Sequence, residues 1–171
     1  MALKAKDQTA SYAKWMMHLT WIIALALASF FFQKAIDNKK NPNQFLSNDK
    51  NTPLVLKQNS KAHYLAYGEI NGYRVTFLLD TGATNVTISE GIAQQLNLTK
   101  QGSALVSTAN GNIQVHKTLL DTLKLGNITS TNVVAYINPY NEGDIVLLGM
   151  SFLKHLSLVQ KNNTLTLSTD N

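Results

Sequence analysis

The chain has 171 residues, 44% of them hydrophobic and 15% charged, with no cysteine. That composition supplies a core for one domain of ordinary size plus an appendage, and it excludes wholesale disorder, disulfides, thiolate nucleophiles and cysteine-based zinc sites. The formal charge of +5 lies mostly in residues 1–53, where seven lysines face three aspartates, so residues 54–171 are nearly neutral and carry no basic stripe for nucleic acid.

Residues 1–14 form a short N-terminal tail containing Lys4, Lys6 and Lys14. The run "WMMHLTWIIALALASFFF", Trp15 to Phe32, has no formally charged residue, and its polar members are His18, Thr20 and Ser29. Eighteen residues of helix span about 27 Å, close to the roughly 30 Å hydrocarbon core of a bilayer. Trp15 and Trp21 sit toward one end, as interfacial tryptophans do, and lysines flank both sides. A cleaved signal peptide and a buried core helix are the competing readings. Against the first, "FFFQKAIDNKK" offers no small-x-small cleavage site; against the second, the segment that follows is polar. The expectation is a retained transmembrane helix over 15–32. The flanking lysines nearly balance, so orientation follows from the short tail, which suits the inside. In a bacterium this places the C-terminal domain in the periplasm, on an inner-membrane anchor. Residues 33–53 follow as a flexible linker. Within them "NKKNPNQFLSNDKNTP" is rich in Asn and Lys, with two prolines and little to bury.

From residue 54 to 171 the pattern is all-β. "HYLAYGEI" and "YRVTFLLD" flank Asn71-Gly72, a two-residue hairpin signal, and "SALVSTA" and "NIQVHKTLL" flank Asn110-Gly111 in the same way. "DTLKLGNIT", "NVVAYINP", "DIVLLGM" and "NTLTLST" read as further strands. Two short helices interrupt them, one in "SEGIAQQLNL" with Ile92, Leu96 and Ala93 on one face, the other in "GMSFLKHL". Many short strands at close spacing predict a small barrel or sandwich.

One stretch carries chemistry. In "YRVTFLLDTGAT" an alternating apolar strand delivers Asp80 into a turn, where the Thr81 hydroxyl can bond nearby backbone and Gly82 permits a sharp bend. Taken alone, Asp-Thr-Gly is ordinary turn chemistry. About 65 residues later "IVLLGMSFL" runs an apolar strand into Gly149, and the Asn110-Gly111 hairpin lies between the two. This order resembles the retroviral-type (retropepsin-like) aspartic proteases over most of residues 62–160. With the preceding anchor, the chain is similar to their bacterial single-span group. The resemblance implies a small closed β-barrel of the acid-protease type with one or two short helices, after a transmembrane helix. It implies that Asp80 is the catalytic aspartate, that the Thr81 hydroxyl locks two active-site loops across a dimer, that Gly82 makes the tight turn and that Ala83 lies beside substrate backbone. It places Thr108, Ala109, Asn110 and Gly111 at a substrate-binding flap, and Leu147, Leu148 and Gly149 in the strand packed on the aspartate loop. The chain departs from viral members at Thr84, where they often carry Asp, and at Met150-Ser151, where they often carry Arg then Asp or Asn. The ionic network of those dimers is therefore missing.

Peptide hydrolysis of this kind uses two carboxyls about 3 Å apart that share one proton, because like charges so close cannot both ionise. The chain carries only one Asp-Thr-Gly, and no other aspartate begins a second. The expectation is a homodimer with Asp80 of each copy at its two-fold axis, acting as a membrane-anchored aspartic endopeptidase on polypeptides and using no cofactor. The alternative is a non-catalytic dimer that binds extended peptides; a third reading takes the strands as an assembly domain and Asp-Thr-Gly as a turn. The four histidines have no metal-ligand spacing, so no metal is expected, and neither a nucleophile elbow nor a phosphate-binding glycine loop is present.

Overall fold

The structure is a computed structural model and describes residues 3–49, 51–108 and 111–169. The chain divides into two compact units, Met1–Asn38 and Lys39–Asn171.

The first unit is helical. Helix α1, Leu3–Lys40, contains neither glycine nor proline, and it stops ahead of Asn41-Pro42, where proline disfavours helical backbone at the preceding residue. Lys39 and Lys40 in its last turn complement the negative end of the helix dipole. From Lys14 on, its apolar side chains fall on all sides and are exposed. Among the described residues it is the one helix long and apolar enough to cross a membrane.

The second unit is mostly β. Its elements are β1 (Leu54–Lys57), β2 (Tyr64–Ile70), β3 (Tyr73–Leu79), β4 (Val86–Ser89), α2 (Glu90–Gln95), β5 (Ser103–Thr108), β6 (Gly111–Leu125), β7 (Ile128–Asn138), β8 (Ile145–Leu148), α3 (Met150–Leu153), β9 (Leu156–Lys161) and β10 (Thr164–Thr169). Strands pair in the order β2-β3-β8-β4-β7-β6, and β6 returns to β2 through Glu69↔Lys124 and Ile70↔Leu123, which closes a six-stranded barrel. β5 extends from β6 as an arm. A separate antiparallel sheet, β1-β10-β9, lies beside the barrel. Closure brings backbone close to backbone at Gly68, where a Cβ would collide with the Lys124 carbonyl and the Phe77 ring. Phe77, Ile88, Leu120, Leu123, Ile137 and Leu148 are fully buried in one core.

Local rules account for several joints. Asn71 and Gly72 both have positive φ, 50° and 81°, as a two-residue hairpin of the twist-compatible type requires, and Ile70 pairs with Tyr73 across it. Ser89 caps α2 by accepting a hydrogen bond from the Ile92 N–H, and α2 buries Ile92 and Ala93, with Leu96 packed against the core.

Three features differ from the sequence reading. "NIQVHKTLL" and "DTLKLGNIT" are not two strands but mostly one, the 15-residue β6, which turns into β7 at Gly126-Asn127. The short strands β1, β4 and β9 were not anticipated; four to six residues carry too little periodicity to stand out. The expected flexible linker over 33–53 is helical as far as Lys40, and its next residues are tied to the barrel. Asn43 is buried, its amide donates to the Lys57 and Leu65 carbonyls at 2.8 and 2.6 Å, and its carbonyl oxygen accepts from the Lys57 N–H at 2.7 Å. One side chain thus satisfies backbone groups of both β1 and β2.

Candidate active site

Asp80 follows the last residue of β3. Parallel pairing sets Leu79 beside Leu148, and the Asp80 N–H extends the ladder by donating to the Leu148 carbonyl at 3.2 Å. The chain then turns. The Gly82 N–H donates to Asp80 Oδ1 at 2.9 Å and the Ala83 N–H to the Asp80 carbonyl at 3.2 Å, so the aspartate's own side chain closes the turn that presents it. A Cβ on Gly82 would lie 3.2 Å from that carboxylate oxygen, which is why the position suits glycine. Asp80 is half-buried; Thr81 is exposed, and its hydroxyl makes no hydrogen bond among the described residues.

The loop rests on the end of β8 and the start of α3. Leu148 is fully buried, whereas Leu147 faces the other way and lies opposite Leu78 and Thr87. Gly149 touches the loop backbone so closely that a Cβ would lie 2.5 Å from the Asn85 carbonyl oxygen and 2.6 Å from that of Ala83. Beyond it the Met150 N–H donates to the Ala83 carbonyl at 2.8 Å, the Ser151 N–H to the Thr84 carbonyl at 2.8 Å, and the Val86 N–H to Ser151 Oγ at 3.2 Å. These bonds are neutral, and the one ion pair among the described residues, Lys100–Glu90 at 2.7 Å, lies elsewhere.

Between the loop and the β5–β6 arm lies a cleft of about 220 Å³. Gly82, Ala83, Thr84 and Asn85 form one wall and Val106, Ser107, Thr108, Ile113 and Val115 the other, with Thr87, Tyr136, Asn138 and Leu147 also lining it. Among the described residues, no charged side chain lines this cleft. Thr108 pairs with Gly111 across the arm, and its hydroxyl donates to the Gly111 carbonyl at 2.8 Å. Ala109 and Asn110, read as the remaining flap residues, lie outside the described residues. The arm's Val106, Ile113 and Val115, and Tyr136 and Asn138 of β7, escaped the sequence reading. Their only local signal was alternation within strands; their approach to Ala83 and Leu147 arises from sheet order. Among the described residues no group of three or more histidines and acids converges as a metal site would.

The arrangement can hold a carboxylate in a fixed orientation beside a mostly uncharged groove open to an extended chain. Comparison with known proteins agrees with that geometry. The family model described as "gag-polyprotein putative aspartyl protease" matches residues 66–155. A protein of a Sinorhizobium species, described as an uncharacterized protein in the cobV 5′ region, is 31% identical over 110 residues, 63% of this chain; the match spans about half of that relative, 47%. The crystal structure of a retropepsin-like aspartic protease from Rickettsia conorii superposes with a TM-score of 0.55 at 23% identity, covering 68% of this chain and 89% of that one, which shows the shared fold. Over half of the chain falls within the family model, and the chain therefore belongs to the retropepsin-like aspartyl protease family.

Proposed function

We propose that the chain is an aspartic endopeptidase that works as a homodimer, with the Asp80 carboxyls of two copies forming one catalytic pair. The observation that carries this reading is the Asp80 loop. Its carboxylate is oriented by the Gly82 N–H and half-buried, the loop it begins forms one wall of an uncharged cleft through Gly82, Ala83, Thr84 and Asn85, and a single chain supplies only one such group. Two carboxyls sharing one proton supply base and acid together. The ionised member takes a proton from water as the oxygen attacks the scissile carbonyl carbon, and the protonated member donates to the carbonyl oxygen. Collapse of the resulting gem-diol breaks the C–N bond while a proton passes to the leaving nitrogen. The exposed Thr81 hydroxyl is suited to bond the partner's loop. Leu147, Ala83 and the apolar side chains of the arm would receive side chains of an extended polypeptide.

In this reading α1 is the membrane anchor, and in a bacterium the barrel unit faces the periplasm. Anchoring both copies in one membrane raises their effective concentration and offsets the lack of an ionic network at the dimer. The test uses the full chain in detergent with self-quenched fluorescent casein at mildly acidic pH. Asp80→Asn is expected to lower the rate by at least about 10²-fold, the scale of a lost general acid–base group. Equal cleavage by both proteins would remove Asp80 from the chemistry.

A further inference from the structure

The loop between β3 and β4 is gripped at both ends by four consecutive residues, 148–151. At its front the Asp80 N–H donates to the Leu148 carbonyl; at its rear the Val86 N–H donates to Ser151 Oγ. Between them the Met150 and Ser151 N–H groups hold the Ala83 and Thr84 carbonyls. Three of these four bonds run from backbone to backbone and survive substitution. The fourth depends on one side chain.

Strand order explains why a side chain is needed there. β4 lies between β7 and β8, yet its pairing with β8 is confined to Thr87↔Leu147. Val86 lies just outside that pairing and is fully buried, so neither ladder nor water offers its N–H an acceptor on that side. The Ser151 hydroxyl, on the second residue of α3, fills the place of the missing rung. A buried donor that loses its acceptor carries the desolvation penalty with no return, and the backbone shifts to find another.

We propose that Ser151 is a positioning residue for Asp80, its hydroxyl fixing the end of the loop from which the carboxylate is presented. This rests on the catalytic reading of Asp80. A shared proton needs two carboxyls held within a few tenths of an ångström, so a loop freed at one end loses rate before it loses substrate.

The experiment compares the full-length chain in detergent as wild type, Ser151→Ala, Ser151→Thr and Asp80→Asn. Rates are measured on self-quenched fluorescent casein, and amide exchange is followed by mass spectrometry. Ser151→Ala is expected to lower kcat about tenfold, equivalent to ~1.4 kcal/mol, with KM within about twofold. Exchange in peptides covering 80–87 should rise about tenfold while β9–β10 peptides stay at wild-type values, and Ser151→Thr, which keeps the hydroxyl, should restore both. Unchanged exchange over 80–87, or a rise shared equally by all peptides, overturns the proposal. So does a kcat that stays at the wild-type value while the melting temperature falls. If wild type cuts no better than Asp80→Asn, the catalytic reading is what fails, and exchange over 80–87 still decides whether Ser151 holds the loop.

Discussion

Gly149→Ala tests how the Asp80 loop is supported. The added methyl would lie 2.5 Å from the Asn85 carbonyl oxygen, 2.6 Å from the Ala83 carbonyl oxygen and 2.8 Å from the Asn85 carbonyl carbon, against an ordinary contact beginning at 3.4 Å. All three atoms are backbone, so no side chain can swing aside. Relief needs a displacement of about 0.9 Å between α3 and the loop, the difference between 3.4 and 2.5 Å. Overpacking of this kind costs about 1–3 kcal/mol. For a unit of this size each kcal/mol moves the melting temperature by roughly 3–5 °C, so a fall of about 3–15 °C is expected. On the proposed catalytic role of Asp80, displacing the loop by nearly an ångström also misaligns the carboxylate, and cleavage should fall about 10²-fold. Both tryptophans lie in α1, so tryptophan fluorescence reports the helix; tyrosine near-ultraviolet circular dichroism follows the barrel. Gly91→Ala is the control. Its methyl meets nothing within 4 Å, and in α2 it should be neutral or stabilise by about 0.5 kcal/mol. A Gly149→Ala chain that melts within about 2 °C of wild type and cleaves casein normally would refute the close-packing argument.

Asn43→Ala removes three hydrogen bonds from a buried site and strands the Lys57 and Leu65 backbone groups, so a loss of about 2–4 kcal/mol is expected, with faster limited proteolysis between residues 41 and 57. A linker with no structural role would tolerate the change, and an unaltered unfolding midpoint would restore that view. The Glu90 carboxyl is held below the ordinary carboxylate range chiefly by its hydrogen bond to Lys100, so its contribution to stability is present above that range and is lost as pH falls through the lowered value. Glu90→Gln should therefore lie below wild type in melting temperature at neutral pH, with the gap closing in acid. A gap that widens on acidification contradicts that sign.

Much of the fold was legible along the chain because its causes are local. Val75, Phe77 and Leu79 alternate in one strand, Asn71-Gly72 supplies the two positive φ values of a hairpin, and Ser89 stands where α2 needs a cap. Asp80 was conspicuous for the same reason: an apolar strand, a carboxylate and a glycine turn are adjacent in sequence. The exposed apolar run of α1 was equally plain, since its composition alone marks it.

Other features depend on which segments meet. Nothing around Leu148 predicts that its carbonyl receives the Asp80 N–H, since parallel pairing joins residues 68 positions apart. The family resemblance set Gly149 against the aspartate loop, but no local pattern shows that the Ala83 and Asn85 carbonyls leave no room there for a Cβ, and Ser151 reads as an ordinary helical serine until Val86 lies at the end of an unfinished ladder. Asn43 sits in a stretch whose composition spells disorder, yet its amide finds backbone from β1 and β2. Residue patterns therefore determined which segments are strands, turns and the long apolar helix and where the carboxylate lies. Chain-distant pairing decided what holds that carboxylate still, because a hydrogen bond's partner is chosen by the closed barrel and not by its neighbours in sequence.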